Sequence, residues 1–345
     1  MLDILRAHRS RYPLMEPQDA VKLIYQRAFG PGHMVASRES ALSRLEEETA
    51  LVPKDPAAAL FEPIGAGLAR MRLASPEFPS LPTAAGMFYA STRMPREDCF
   101  QNELDALSAA WPEAAAFVAS YRAMGCPPVH HSEVFRRAYR PAYRVVLAKL
   151  QRLMPVFRAV DALSDRPRVL IAIDGRCGSG KSSLSQLIAS VYGAMVLHMD
   201  DFFLTEAQKA AGVRAPVANI DGARLMAALR PLAAGEPFEF RPYNCLTGEY
   251  LPPRRINPTR VSVVEGSYCL HPEIRLNYDL KLFLSVDPDT QKARLKARNP
   301  ELYDRFLADW IPQEEAYFKA FGIPGLCLTA DGRALSDEEA EGGCP

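Results

Sequence analysis

The hydrophobic pattern changes character about halfway along the chain. Before residue 160 the apolar positions recur at helical spacing. In Met15–Phe29, Val21, Ile24, Tyr25 and Phe29 share one helical face, Pro17 stands near the start and an acid sits in the first turn. Gly30-Pro31-Gly32 stops that helix. Residues 37–48, 97–107, 112–124 and 142–163 read as further helices. Pro-rich breaks at 53–56, 76–82 and 127–128 separate them.

After Asp165-Arg-Pro-Arg168 short β-rich runs alternate with helical segments. The pattern predicts strands at 169–173, 195–199, 261–264 and 281–286, and helices at 181–192, 221–234 and 288–298. Such alternation belongs to an α/β fold, a parallel sheet with helices on both faces. At 345 residues the chain is expected to hold two domains. A mainly helical one of unassigned role would cover 1–162, and the α/β one 163–345.

Composition removes several function classes. Lys+Arg and Asp+Glu are both 41, so no global field favours nucleic acid or a membrane surface. The seven cysteines are odd in number and widely spaced, and none form a C-x-x-C pair. That argues for reduced thiols rather than a disulfide framework or a zinc site. No apolar run approaches the ~18 residues of a membrane helix, and charges interrupt the N-terminal segment early. By elimination the expected location is cytoplasmic.

The chemistry gathers in the second half. The apolar run Val169–Ile173 leads into Asp174-Gly175-Arg-Cys177-Gly178-Ser179-Gly180-Lys181-Ser182-Ser183, which matches G-x-x-x-x-G-K-[ST]. Glycines let such a loop curl so that successive N–H groups point at phosphate oxygens. The helix beginning near Lys181 adds its positive end. Lys181 would reach the outer phosphates and the Ser182 hydroxyl would ligate magnesium, with ATP as the nucleotide. The pattern arises by chance in about one chain in a hundred of this length, and here the required strand-before, helix-after context is present.

Met195–Met199 ends in Asp200-Asp201, and the strand at 261–264 ends in Glu265-Gly266. In an open α/β sheet these carboxyl ends share the rim of the phosphate loop. Phosphoryl transfer to an alcohol needs a carboxylate for the hydroxyl proton, and magnesium needs oxygen ligands. Asp200 and Glu265 are the candidates. Turn formation and helix capping are the ordinary alternatives for such acids.

With these pieces in order, the span 169–325 resembles the uridine kinase and phosphoribulokinase group of P-loop kinases. The matching segments are IAIDGRCGSGKSS, HMDDFF, NID at 219–221, RPYN at 241–244, VVEGSYCL and an Arg-bearing helix towards the C-terminus. The resemblance implies a catalytic base at Asp200 and a magnesium site of Ser182, Asp200 and Glu265. It implies acceptor contacts from Asp221, Tyr243 and Asn244. It also implies a lid in which Arg294 serves the nucleotide, Arg298 the transferring group and Arg305 the acceptor. Asn244 stands where the group has Asp, Gly248 where uridine kinases carry a base-contacting His, and the dense arginine run of the lid is missing. Those departures imply retained chemistry with an altered nucleobase pocket.

The expected function is ATP-dependent phosphorylation of a small hydroxyl-bearing metabolite, nucleoside or sugar-like. The alternative is a nucleotide-dependent switch whose helical domain binds a partner. Neither membrane nor nucleic acid is expected as a partner, and a homo-oligomer is left open. In the first half, His33, Glu62, His130 and His131 lie on turns or near a helix cap, and whether they meet in one site is not legible in the sequence. Arg136, Arg137, Arg140 and Arg144, interleaved with Phe135, Tyr139 and Tyr143, read as a solvated helix face or one packed on the second domain, with contact to phosphates or RNA as the alternative.

Overall fold

The computed structural model describes every residue except 93–95, 214, 216, 245, 246, 275, 323, 324, 331 and 336–345. The side chains of His33 and Asp98 are also outside the described set, as are Cys245 and Cys344. The chain divides into two compact units, Met1–Gln151 and Arg152–Pro345. No helix among the described residues is long and apolar enough to cross a membrane.

The first unit carries helices α1 (Leu2–Arg11), α2 (Pro17–Phe29), α3 (Arg38–Leu51), α4 (Leu81–Tyr89), α5 (Glu97–Ala110), α6 (Ala115–Ala123) and α7 (Glu133–Tyr139). It also has an antiparallel sheet, β1 (Phe61–Gly65), β2 (Leu68–Arg72) and β3 (Tyr143–Leu147), in that order. Two expectations are corrected here. The segment 142–163 does not begin as a helix: Tyr143-Arg-Val-Val-Leu147 pairs with β2 from Arg72↔Tyr143 to Leu68↔Leu147. Aromatic and β-branched side chains fit a half-buried pleated strand better than a helix. Glu62 lies within a strand rather than a turn, which comes at residues 65–67, all with positive φ. Arg144 is consequently buried in β3 and paired with Glu48, apart from the exposed Arg136, Arg137 and Arg140.

Strand alternation divides one face of this sheet into two halves. Ile64, Leu68 and Val145 join Leu5, Val21 and Ile24 of α1 and α2 in the apolar core. Glu62, Arg70, Arg72 and Tyr143 occupy the polar half. A buried network continues from there. Arg70 donates to Gln26 Oε1 (2.9 and 3.1 Å), and Gln26 donates to Tyr143 Oη (3.1 Å). Tyr143 Oη meets His131 Nε2 at 2.6 Å, and His131 Nδ1 meets Asp19 Oδ1 at 2.7 Å. Ser132, the N-cap of α7, also donates to Asp19 from its N–H and its hydroxyl.

Burial lowers the His131 pKa to about 4 despite the Asp19 contact. Burial alone would raise Asp19, but the bonds from His131 and Ser132 outweigh it and hold the carboxyl below its usual range. Between about pH 6.5 and 4 the unfolded chain therefore binds a proton at His131 that the folded unit refuses. Stability from this group is full above pH 6.5 and falls on acidification, by on the order of 3 kcal/mol across that window. The Asp19 contribution is lost only at lower pH, below its unfolded value of 3.8. Amide exchange of β3 should accelerate between pH 7 and 5, corrected for intrinsic rates, and less so in His131→Gln. Equal acceleration in both proteins would refute the assignment.

The second unit contains helices α8 (Met154–Asp161), α9 (Lys181–Tyr192), α10 (Glu206–Ala210), α11 (Gly222–Ala234), α12 (Pro288–Arg298), α13 (Tyr303–Arg305) and α14 (Ile311–Phe321). The α8 helix belongs here because its buried Phe157 meets Tyr192 of α9, ring centroids 6.0 Å apart. The division of the chain thus precedes α8 rather than following it. The main sheet contains β4 (Val169–Gly175), β5 (Met195–His198), β10 (Val261–Glu265), β11 (Leu280–Ser285) and β12 (Leu326–Thr329). Its order is β12-β11-β4-β10-β5, all parallel. Between β5 and β10 lie two short antiparallel pairs, β6 (Phe238–Phe240) with β9 (Arg254–Ile256) and β7 (Tyr243–Asn244) with β8 (Glu249–Tyr250).

All seven residues of β4 are buried, as a strand covered on both faces requires. Leu170 and Ala172 pack with Leu225, Ala228 and Leu229 of α11. Val169, Ile171 and Ile173 alternate to the other side, and α9 runs against β4, β5 and β10. This arrangement brings the carboxyl ends of β4, β10 and β5 side by side. The β12 edge strand had no clear sequence signal, being four residues long.

Candidate active site

The loop after β4 turns sharply at three glycines: Gly175 (φ +136°), Gly178 (+73°) and Gly180 (+103°). A Cβ on Gly175 would sit 2.1 Å from the Leu284 carbonyl oxygen, so the loop can pass β11 only without a side chain. Gly175→Ala should destabilise the second unit by about 3 kcal/mol or more and abolish nucleotide binding. Gly212→Ala is the control, since that glycine also has positive φ (+71°) but open space around it. Denaturant unfolding checks this, and similar losses in both variants would contradict the steric argument.

Among the described residues the N–H groups of Gly178, Gly180, Lys181, Ser182 and Ser183 meet no protein acceptor. They form a cradle at the start of α9 that fits the phosphates of a nucleotide. Lys181 Nζ lies on the loop itself, donating to the carbonyls of Gly175 (2.7 Å) and Arg176 (3.0 Å) and to Ser267 Oγ (3.2 Å). The Ser179 hydroxyl is buried without a partner.

Across the loop stand the carboxylates. Ser182 Oγ donates to Glu265 Oε1 (3.1 Å), which also meets His198 Nδ1 at 2.5 Å. The glycine after Glu265 has a structural reason. Gly266 has φ +140°, and a Cβ there would come within 2.6 Å of Met199 Cβ, just ahead of Asp200. Burial, then the charge of Glu265, pushes Asp200 above its usual range, while Lys181 pulls it back. Burial does the same to Asp201, whose Oδ2 is buried with no hydrogen-bond partner and 4.0 Å from Arg254 Nη1. No three His, Cys, Asp or Glu side chains converge on a metal position among the described residues. The convergence here is of carboxylates with a serine hydroxyl, an oxygen set that suits magnesium. Mutual repulsion between Asp200 and Glu265 is what a bound divalent cation would relieve.

The acceptor-side residues lie next to Asp200 in the fold. Phe203 bridges to Ile220, and Asp221 N–H donates to the Phe202 carbonyl (2.7 Å), so the NID segment runs along the chain after Asp200. β7, with Tyr243 and Asn244, lies against the turn Met199–Phe202. Asp221 is buried and caps α11, accepting from Arg224 N–H (3.1 Å) and Gln208 Nε2 (2.8 Å). Tyr243 is buried edge-on to Tyr250. Asn244 is half-buried and accepts from Thr247 N–H at 3.4 Å. The lid arginines divide. Arg294 donates to the Gly178 carbonyl (3.0 Å). Arg298 is exposed and bonds to Asn299, while Arg305 stacks over Trp310, so neither is brought to the loop.

Several residues at the site carried no usable sequence signal. Glu314 of α14 is buried and accepts from Cys177 N–H (2.8 Å) and from the Ser267 hydroxyl (2.6 Å). Its neighbour Glu315 pairs with Arg176 (2.6 Å). Asp174, fully buried, accepts from the N–H groups of Gly175, Tyr268 and Leu270 and from Tyr317 Oη. Burial, then Glu314, pushes the Cys177 thiol up to about 12, which leaves it a neutral filler rather than a reactive thiolate.

No protein-family model matches the chain. It is similar to a phosphoribulokinase of Synechocystis sp., 30% identical over 130 residues, which cover 36% of this chain and 39% of that protein. It is also similar to uridine-cytidine kinase 2-B of Danio rerio, 29% identical over 195 residues, 48% of this chain and 73% of that protein. The chain thus spans well under half the length of the phosphoribulokinase. Among solved structures, a candidate fructose transport system kinase from Silicibacter sp. TM1040 aligns with TM-score 0.41 and 22% identity. That alignment covers 47% of this chain and 89% of the other.

Proposed function

We propose that Arg152–Pro345, a P-loop kinase unit of the uridine kinase and phosphoribulokinase-like group, transfers the γ-phosphoryl of ATP to a hydroxyl of a small metabolite. The observation that carries the reading is one shared rim. The Lys181 loop, the Ser182–Glu265 hydrogen bond and Asp200, which is open to solvent at the rim, stand at adjacent strand ends, and Asp221 and Tyr243 flank the same turn.

On this reading the cradle N–H groups and Lys181 hold the phosphates, and Ser182, Asp200 and Glu265 hold magnesium. When bound there, magnesium would supply positive charge to the phosphate oxygens. Asp200 takes the hydroxyl proton as the acceptor oxygen attacks, a role open to a carboxylate at the rim beside the acceptor residues. Asp221, Tyr243 and Asn244 wall the acceptor, nucleoside or sugar-like. Arg294 starts beside the loop, whereas Arg298 and Arg305 reach it only if the segment from α12 to α14 closes. The seven cysteines suit a reducing cytosol.

The test is a screen of nucleosides, sugars and small alcohols with the purified full chain, ATP and magnesium, following ADP release and phosphorylated product. One acceptor class should raise ADP release at least about tenfold over the acceptor-free rate, with matching product. ADP release that is the same with and without every acceptor would favour the switch reading instead.

A further inference from the structure

The polar half of the sheet face in the first unit is expensive to build. Glu62, Arg70 and His8 are buried to 5%, 3% and 6% side-chain exposure between the sheet and α1. An apolar interface of the same shape would stabilise the unit at least as well, because buried charges lose their hydration. Ile64, Leu68 and Val145 on the same face show that such an interface is available to this sheet.

The cluster is also not closed on itself. His8 Nδ1 lies 2.9 Å from the Ile4 carbonyl, an acceptor, so the ring proton sits on Nδ1 and Nε2 is a bare acceptor. That Nε2 is buried, has no hydrogen-bond partner and faces Glu62 Oε1, another acceptor, at 3.7 Å. Two buried acceptors facing each other call for a donor between them. On the cationic side, Arg11, Arg70 and Arg72 stand 3.8, 3.8 and 3.4 Å from Glu62. The shorter bonds of these groups go elsewhere: Glu62 accepts from Tyr12 Oη (2.8 Å), Arg72 donates to Tyr12 Oη (2.5 Å) and only weakly to Glu62 Oε2 (3.4 Å), and Arg70 donates to the neutral Gln26. Three guanidinium groups thus surround one carboxylate at a loose distance. Arg72 and Arg11, at 24% and 50% exposure, mark the open side.

We infer that this cluster is a binding site for a small hydroxylated oxyanion. Its anionic group would lie between Arg72, Arg11 and Arg70, and its hydroxyl would donate to the unpartnered His8 Nε2 beside Glu62. The surplus of guanidinium charge selects the anion and the facing acceptors select the hydroxyl. Nothing in this site depends on the kinase reading of the second unit.

The test titrates the full chain with glycerol 3-phosphate, lactate and inorganic phosphate by calorimetry, against chloride at equal ionic strength. A Lys181→Ala background keeps phosphate bound at the second unit's loop from dominating. At least one of the two hydroxylated anions should bind saturably, and at least about tenfold more tightly than inorganic phosphate. Tighter glycerol 3-phosphate assigns the oxyanion to a phosphate ester, and tighter lactate to a carboxylate. Arg72→Gln, at the exposed edge, should weaken that binding at least about tenfold while leaving the far-ultraviolet spectrum unchanged. Glu62→Gln should narrow the preference for the hydroxylated anion. No saturable binding of either hydroxylated anion, binding unchanged by Arg72→Gln, or equal affinity for inorganic phosphate would overturn the assignment.

Discussion

Replacing Lys181 with alanine is expected to lower kcat/KM for phosphoryl transfer by about a thousandfold or more, with weakened ATP binding. The ammonium now lies on the carbonyls of Gly175 and Arg176, close to the cradle, and needs only a swing of its side chain to reach an outer phosphate. Among the described residues the neighbouring cations have other places. Arg176 is committed to Glu315 and Ser285, and Arg294 to the Gly178 carbonyl. Steady-state kinetics with nucleotide titration measures both losses, and a variant within about threefold of wild type would remove Lys181 from the mechanism.

The second large effect separates chemistry from binding. Asp200→Asn preserves shape but cannot take a proton, so kcat should fall by about a thousandfold or more while ATP affinity changes by less than about threefold. Asp200 sits where desolvation by the surrounding protein, then Glu265, raises its proton affinity, and Lys181 limits the rise. If the Asn variant turned over normally, Asp200 would not be the base. If it lost ATP binding in proportion to turnover, its part would be metal ligation alone.

The second unit was legible because its chemistry lies in continuous segments. A strand, a glycine loop and a helix follow one another from Val169 to Tyr192, and the helix bounds read from the sequence match those of α9 and α12. What escaped depends on contacts between distant segments. Glu314 grips Cys177 across 137 positions, and only the fold places α14 beside the loop. In the first unit, β1 and β3 were misread because each is five residues long and their partners are set by tertiary pairing, not by local period. Glu62 and His131, singled out as unassigned residues, turn out to be linked through Arg70, Gln26 and Tyr143. The side chain of His33 lies outside the described residues. Asp221 shows the opposite limit: it does stand beside the turn that carries Asp200, yet its carboxylate is engaged in capping α11.

The central claim is that the loop and the carboxylates form one metal-nucleotide site. Calorimetric titration of ATP into the full chain, with magnesium and with a chelator, tests it most directly. The account predicts saturable binding that weakens at least about tenfold when magnesium is withheld, and a much smaller magnesium dependence in Glu265→Gln. No binding of ATP, or binding indifferent to both magnesium and Glu265, would contradict it.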